Sequence, residues 1–360
     1  LNDGVSHTKP KQLKGRGTAD APKNRFERLH VEPDLDGLGD DEAIAPKTKF
    51  VRDASKSIIA TNDSPDVGFD ASINPYRGCE HGCVYCYARP YHEYLGLNAG
   101  IDFETTILVK EDAPQLLRAE MMATRWKPQK LGISGVTDPY QPIERKLEIT
   151  RRCLEVLAEF RNPVSIVTKN RLVTRDIDIL SELARHDAAA VAVSITSLDS
   201  ALIRKLEPRT SQPELRLDAI ARLSDAGIPV VVLIAPIIPA LTDHELPAIL
   251  KAAYEAGARY SGYTVARLPG AVAGLFDGWL EEHYPDRRLK IIHQIENAHG
   301  GNVADTRFGK RMKGDGVAIE QIHKLFHVTR RRLGYQESLP HLSTDAFRRP
   351  ARHGQLELFD

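Results

Sequence analysis

From about residue 70 onward, short runs of contiguous apolar residues alternate with stretches whose apolar positions recur every three or four residues. Leu131-Gly-Ile-Ser-Gly135, Val164-Ser-Ile-Val-Thr168, Ala189-Ala-Val-Ala-Val-Ser-Ile195, Val230-Val-Val-Leu-Ile-Ala235 and Tyr260 to Val265 read as strands. Between them, Leu147, Cys153, Leu154, Leu157 and Phe160 mark one amphipathic helix, and Ile177, Leu180 and Leu183 a second. Leu217, Ile220 and Leu223 mark a third, which stops at Gly227. Thr242-Asp-His-Glu245 has the form of a capping box opening the next helix. Strands apolar on both faces, separated by helices, predict a parallel sheet buried on both sides. With a further strand around Ala71 to Pro75 there are about six β/α units. The expected fold is α/β, a curved, open, partial (βα)6 TIM-like barrel with its function at the carboxyl ends of the strands.

The chain has 360 residues, enough to bury a large core. The expected division is a polar, flexible extension over 1–45, the barrel over 46–270, a helical extension over 271–335 and a flexible tail over 336–360. The formal charge is zero, so overall charge points to neither nucleic acid nor membrane. Its distribution is uneven. Lys9, Lys11, Lys14, Arg16, Lys23, Arg25 and Arg28 make the start basic, an acidic stretch runs from Glu32 to Glu42, and the tail is basic again. No apolar run approaches the ~20 residues that span a bilayer, and no signal-peptide pattern is visible, so the expected location is cytoplasmic, without a membrane partner.

Three of the four cysteines fall within eight residues, in Cys79-Glu-His-Gly-Cys83-Val-Tyr-Cys86-Tyr87. Thiolates bind soft metals, and three on one loop can hold three irons of a cubane cluster and leave the fourth open. Two other uses of such a loop stay open at this point. His81 or His92 can complete a tetrahedral Cys3His zinc set, and thiols can pair as disulfides.

The spacing C-x3-C-x2-C, with an aromatic residue before the last cysteine, resembles the signature of radical S-adenosylmethionine (radical SAM) enzymes. Thr137-Asp138, Val167-Thr-Lys169, Val193-Ser-Ile195, Leu206-Glu-Pro-Arg-Thr210 and Ala235-Pro-Ile237 then follow in order. From about Asp70 to Pro239 the chain therefore resembles the spore photoproduct lyase-like, "DNA repair photolyase" group. Asn74-Pro-Tyr-Arg-Gly78 and Tyr91-His-Glu-Tyr-Leu-Gly96 look more like a bacterial subgroup whose substrate is unsettled.

The resemblance implies a 4Fe-4S cluster on Cys79, Cys83 and Cys86, with S-adenosylmethionine on the open iron. Reduction of the cluster would split the sulfonium to a 5′-deoxyadenosyl radical. Thr137, Lys169 and Ser194 match contacts of S-adenosylmethionine, Lys169 as the cation for its carboxylate. Tyr85 and Tyr87 match tyrosines implicated in radical transfer; the alternative is that their rings shield the cluster. Where the lyase has a hydrogen-donating cysteine, this chain has Gly135. Cys153 falls on the apolar face of a helix and reads as a buried structural thiol. Spore photoproduct repair itself is therefore not implied. The expected substrate is DNA or another nucleic acid, and a reductant such as flavodoxin or ferredoxin is required. Radical modification of RNA or protein, and a non-catalytic iron–sulfur sensor or electron carrier, are the other readings.

The remaining polar residues carry plainer expectations. His92 and Glu93 read as satisfied residues of a helix start, and His323 and His327 as core or surface histidines sharing a helix face. Arg267, after the last strand, reads equally as a contact for substrate phosphate or as a salt-bridge partner. Gln355-Leu-Glu-Leu-Phe359 resembles the peptide with which bacterial repair proteins dock on the DNA sliding clamp, with Leu358 and Phe359 as anchors.

Overall fold

The computed structural model describes residues 13–27 and 46–350. The clamp-like peptide and the acidic stretch from Glu32 to Glu42 lie outside them. Ten strands are formed: β1 (Lys49–Arg52), β2 (Ile59–Thr61), β3 (Ala71–Ile73), β4 (Tyr76–Arg77), β5 (Thr106–Val109), β6 (Leu131–Ile133), β7 (Val164–Thr168), β8 (Ala189–Ser194), β9 (Val230–Ile237) and β10 (Tyr260–Val265). Seven of them make one sheet in the order β10-β9-β8-β7-β6-β3-β2. Its six strands from β3 to β10 are parallel, and β2 closes one edge antiparallel to β3. This is the open, six-stranded partial barrel that the alternation of apolar runs and helices implies.

Helices Ile149–Phe160, Ile177–Ala184, Pro213–Asp225 and Leu246–Glu255 line the outside of the sheet with their apolar stripes. Leu154, Leu157, Leu180, Leu183, Ile220, Leu223, Ile249 and Leu250 join β-strand side chains in one continuous core. Cys153 is fully buried in it. Two local expectations change. The apolar run from Leu147 to Phe160 is two helices, because Glu148 takes a left-handed conformation between Glu144–Leu147 and Ile149–Phe160. Thr242 and Glu245 do not form a capping box. The Glu245 carboxylate accepts from Ser197 Oγ and Leu198 N instead, and the Thr242 hydroxyl accepts from Ile238 N.

A second sheet, β1-β5-β4, has no counterpart in the apolar pattern. It carries the chain from β4 straight into the cysteine loop. On the opposite side, helices Val272–His283 and Arg288–Ala298 bury Leu275, Phe276, Trp279, Leu280, Ile291 and Ile295 in a cluster that also contains Cys83, Val84 and Tyr85. The helical extension thus walls the loop from water. The last helix, Val317–Leu333, packs Ile319, Ile322 and Phe326 on the barrel core. Residues 336–350, the first part of the expected tail, run back across the barrel: Ser343 N reaches Asp187 O at 2.9 Å, and the rings of Phe347 and Phe160 lie 6.1 Å apart.

Candidate active site

Cys79, Cys83 and Cys86 are all free; the first two are buried and Cys86 is half-buried. Two left-handed glycines shape their loop, Gly78 (φ +82°) and Gly82 (φ +68°), and a Cβ on Gly82 would come within 2.7 Å of Glu104 Oε2. Only glycine fits there. Arg89 fixes the loop from beneath: its Nε donates to Cys83 O at 3.0 Å, and its Nη1 to Ala99 O and Gly100 O. Its Nη2 pairs with Glu104 at 2.6 Å, both side chains being wholly buried. Glu104 also accepts from Gly17 N, which draws the described part of the N-terminal extension under the loop.

Burial raises the Cys83 thiol well above its ordinary range and pushes Cys86 up to about 11, with Cys79 adding repulsion to both. Against this, Lys169 favours both thiolates, and the Ala88 N–H bonds to the Cys86 sulfur. Three thiolates gathered here need a cationic centre, which iron supplies. In a cubane each thiolate binds a different iron, so the three need not close around one point. Among the described residues no three His, Cys, Asp or Glu side chains do. His92, one of the two histidines available for a zinc set, is committed to Thr106 O at 2.9 Å. His81 lies beside Asp138, 3.4 Å away; burial opposes its charge, but Asp138 and Cys79 outweigh it and bring its pKa to about 10. The donor set fits a three-cysteine cluster.

Beside the cysteines, the carboxyl ends of β7, β8 and β9 converge on one buried carboxylate, Glu207. Its partners are Tyr85, Thr196, Thr210, Arg216 and Lys169. Burial disfavours the charge, yet Arg216 and Lys169 hold its carboxyl far below the usual range. The Lys169 ammonium donates to Ser194 Oγ at 2.6 Å, Ala235 O at 2.8 Å and Thr196 Oγ1 at 3.2 Å, with Glu207 at 3.6 Å. Two cations therefore share one carboxylate. An unmatched positive charge is left at the strand ends, where an incoming carboxylate would balance it.

Lys169 and Ser194 are thus brought together as the strand spacing implies. Thr137 is not with them: its hydroxyl donates to Gly78 O at 2.6 Å and accepts from Gln141, so it braces the cysteine loop. Its neighbour Asp138 accepts from Thr168 Oγ1 and Lys169 N, both at 2.8 Å, tying β7 to the same loop. The two tyrosines differ sharply. Tyr85 is buried with its hydroxyl on Glu207, whereas Tyr87 is 45% exposed and donates to Gly135 O at 2.7 Å.

Arg267, just past β10, lies with its guanidinium 5.9 Å from the Tyr87 ring centroid. It makes no hydrogen bond or ion pair among the described residues. Burial, and next the nearby Arg311, pull its pKa below that of a free arginine against the opposing pull of Tyr87, Tyr91 and Asp66. Arg311 itself is neutralised by Asp66. Sequence reasoning named Arg267 and the tyrosines but passed over Glu207, Arg216, Thr196 and the Arg89–Glu104 pair. For Glu207 a signal existed, in Leu206-Glu-Pro-Arg-Thr210. For Arg89 and Glu104, fifteen residues apart across a loop, none did.

An open parallel barrel with a three-cysteine loop after its first strand defines the class. The chain belongs to the radical SAM superfamily, whose model matches residues 73–253. The cofactors of that family are a 4Fe-4S cluster and S-adenosylmethionine. An uncharacterized protein of Mycobacterium tuberculosis is 37% identical over 222 residues, covering 61% of this chain and 65% of the relative, so the match spans less than two thirds of its length. An uncharacterized protein of Methanocaldococcus jannaschii is 33% identical over 199 residues, 55% of this chain and 71% of the other. The fold is that of spore photoproduct lyase. The structure of that protein complexed with dinucleoside spore photoproduct superposes with a TM-score of 0.55 at 18% identity, covering 79% of this chain and 78% of the other. Among the described residues no helix is long and apolar enough to cross a membrane.

Proposed function

We propose that this radical SAM enzyme acts on a nucleic acid, with Cys79, Cys83 and Cys86 holding the cluster and Lys169 and Ser194 the amino-acid end of S-adenosylmethionine. When bound, the two cofactors supply reductive cleavage of a sulfonium C–S bond and, with it, the capacity to abstract a hydrogen atom. The chain's own residues do the rest. Lys169 offers the cation for a carboxylate, and Glu207 and Ser194 hold that ammonium in place. Thr137, Asp138 and Arg89 keep the cysteine loop in register with the strand ends. Helices Val272–His283 and Arg288–Ala298 exclude water from Cys83 and Tyr85. Tyr87, half-exposed with its hydroxyl on Gly135 O, is the phenol a substrate can reach to exchange a hydrogen atom; Tyr85 is buried with its hydroxyl on Glu207. DNA is the preferred nucleic acid, since the fold is shared with a protein bound to a dinucleoside photoproduct.

One observation carries the substrate class: the half-buried guanidinium of Arg267, unpaired among the described residues, lies beside the exposed ring of Tyr87. A phosphodiester supplies the missing anion and a base the partner for the ring. Loss of one charge-assisted bond costs about 1.5–3 kcal/mol, roughly tenfold to a hundredfold in affinity. Arg267→Ala is therefore expected to weaken binding of a labelled single-stranded oligonucleotide by at least about tenfold, followed by fluorescence anisotropy. Equal affinity of variant and wild type would remove the phosphate contact.

Lys169→Ala is expected to leave the cluster's visible spectrum intact and to weaken S-adenosylmethionine binding by roughly tenfold to a hundredfold. An incoming carboxylate would take over ammonium hydrogens now shared with Ala235 O and the two hydroxyls. Titration of the reconstituted protein with S-adenosylmethionine, read from the cluster's absorption, measures this. Unchanged affinity would leave Lys169 with Glu207 alone as its purpose.

A further inference from the structure

A cleft of about 520 Å³ opens on the flank of the cysteine loop, and Glu80, bonded in sequence to Cys79, forms part of its wall. Lys14, Lys47 and Lys146 line it, all exposed. None of their three ammonium groups has a hydrogen bond or ion pair among the described residues. Arg16, which is buried, and Arg209 also line it, and Arg209 pairs with Glu80 at 3.0 Å. The one carboxylate of the wall among the described residues is already spent: Glu80 also accepts from Thr48 Oγ1 and from Ile143 N, both at 3.0 Å. Phe50 stands at the rim, 46% exposed, on a strand β1 whose four residues are all exposed. Tyr87, Gly135, Lys169 and Arg267 are absent from this lining, so the cleft is separate from the surface around Tyr87 and Arg267.

We propose that this cleft is the docking surface for an acidic one-electron donor protein of the flavodoxin or ferredoxin class. The inference rests on the assignment of the cluster to Cys79, Cys83 and Cys86. Cys79 and Cys83 are each only 7% exposed, so a donor must reach the cluster where little protein intervenes. The cleft wall is one residue from a ligand. Three ammonium groups around it, unpaired among the described residues, give a field that steers an acidic partner, and an exposed phenylalanine at the rim gives an apolar contact. Transient electron-transfer encounters are small and held largely by such charge complementarity. One electron leaves the reduced donor and enters the cluster, the donor being oxidised and the cluster reduced by one; no bond or proton is exchanged. Entry on this side leaves Tyr87 and Arg267 free for substrate.

The test uses the reconstituted holoenzyme and the Lys14→Glu/Lys47→Glu/Lys146→Glu variant. Cluster bleaching is followed by stopped flow after mixing with reduced flavodoxin or, separately, with dithionite. Binding of oxidised flavodoxin is measured in parallel by interferometry. For the wild type, the flavodoxin rate falls as salt is raised. In the variant it falls by about tenfold or more at low salt, in the range of electrostatic steering, and flavodoxin binding weakens with it. Dithionite reduces both proteins at the same rate. A variant reduced by flavodoxin as fast as wild type overturns the proposal, as does an equal loss with dithionite, which would mean that the lysines act on the cluster itself. An unchanged flavodoxin rate together with weaker oligonucleotide binding would assign the cleft to the substrate strand. Failure of the wild type to assemble a cluster at all would instead count against the cysteine assignment.

Discussion

Glu207→Ala is expected to destabilise the fold by about 3–5 kcal/mol, the cost of removing one partner from a buried ion pair. Arg216 is wholly buried and has no other carboxylate among the described residues; its remaining partners there are Ser211 O, Ser194 O and Thr210 Oγ1. Lys169 loses its counter-charge in the same substitution, and the Tyr85 hydroxyl loses its main acceptor. All of these meet at the carboxyl ends of β7 to β9, so the damage falls on the cofactor end of the barrel. Glu207→Gln keeps acceptors for Tyr85 and Thr196 and is expected to cost less. Urea unfolding of the cluster-free proteins gives the comparison directly. A Glu207→Ala protein as stable as wild type would mean that Arg216 and Lys169 find other partners, and the network described here would not be the hub of the site.

Single replacement of Cys79, Cys83 or Cys86 by Ala is expected to abolish the cluster and all cleavage of S-adenosylmethionine. Each thiolate serves one iron, so two cannot hold a cubane whose fourth iron is open. Iron content and visible absorption after anaerobic reconstitution report assembly. Cys153→Ala is the control: it should keep a full cluster and lose only the stability of a small filled space in the core. A redox-active cluster at wild-type iron content in any of the three loop variants would break the assignment, and a cluster lost only from the Cys153 variant would move it elsewhere.

The barrel was legible because its strands are apolar on both faces and its helices on one. β7 and β10 match the apolar runs residue for residue, and β8 and β9 differ by one or two residues at their ends. The sheet β1-β5-β4 was not legible. β4 has two residues and β1 is fully exposed, so neither leaves a pattern of burial to read. The cysteine loop announced itself through three rare residues at close spacing. Lys169 and Ser194 were reachable because a residue ending a parallel strand points to the functional face by topology alone. Thr137 was expected beside them, but β6 already ends at Ile133, and the Thr137 hydroxyl in the loop beyond is bonded to Gly78 O. Arg89 and Arg216 were invisible for a simpler reason. A buried arginine looks like a surface arginine until the fold brings Glu104 and Glu207 to it.

The central claim is that three loop cysteines and the strand ends beside them make a working radical SAM site. Its most direct test is anaerobic reconstitution of the full chain with iron and sulfide, followed by dithionite and S-adenosylmethionine and chromatographic assay for 5′-deoxyadenosine. The account predicts 5′-deoxyadenosine from the wild type and none from Cys86→Ala. A wild-type cluster that dithionite reduces but that leaves S-adenosylmethionine uncleaved would contradict it, and the chain would then be an iron–sulfur sensor or electron carrier built on a radical SAM fold.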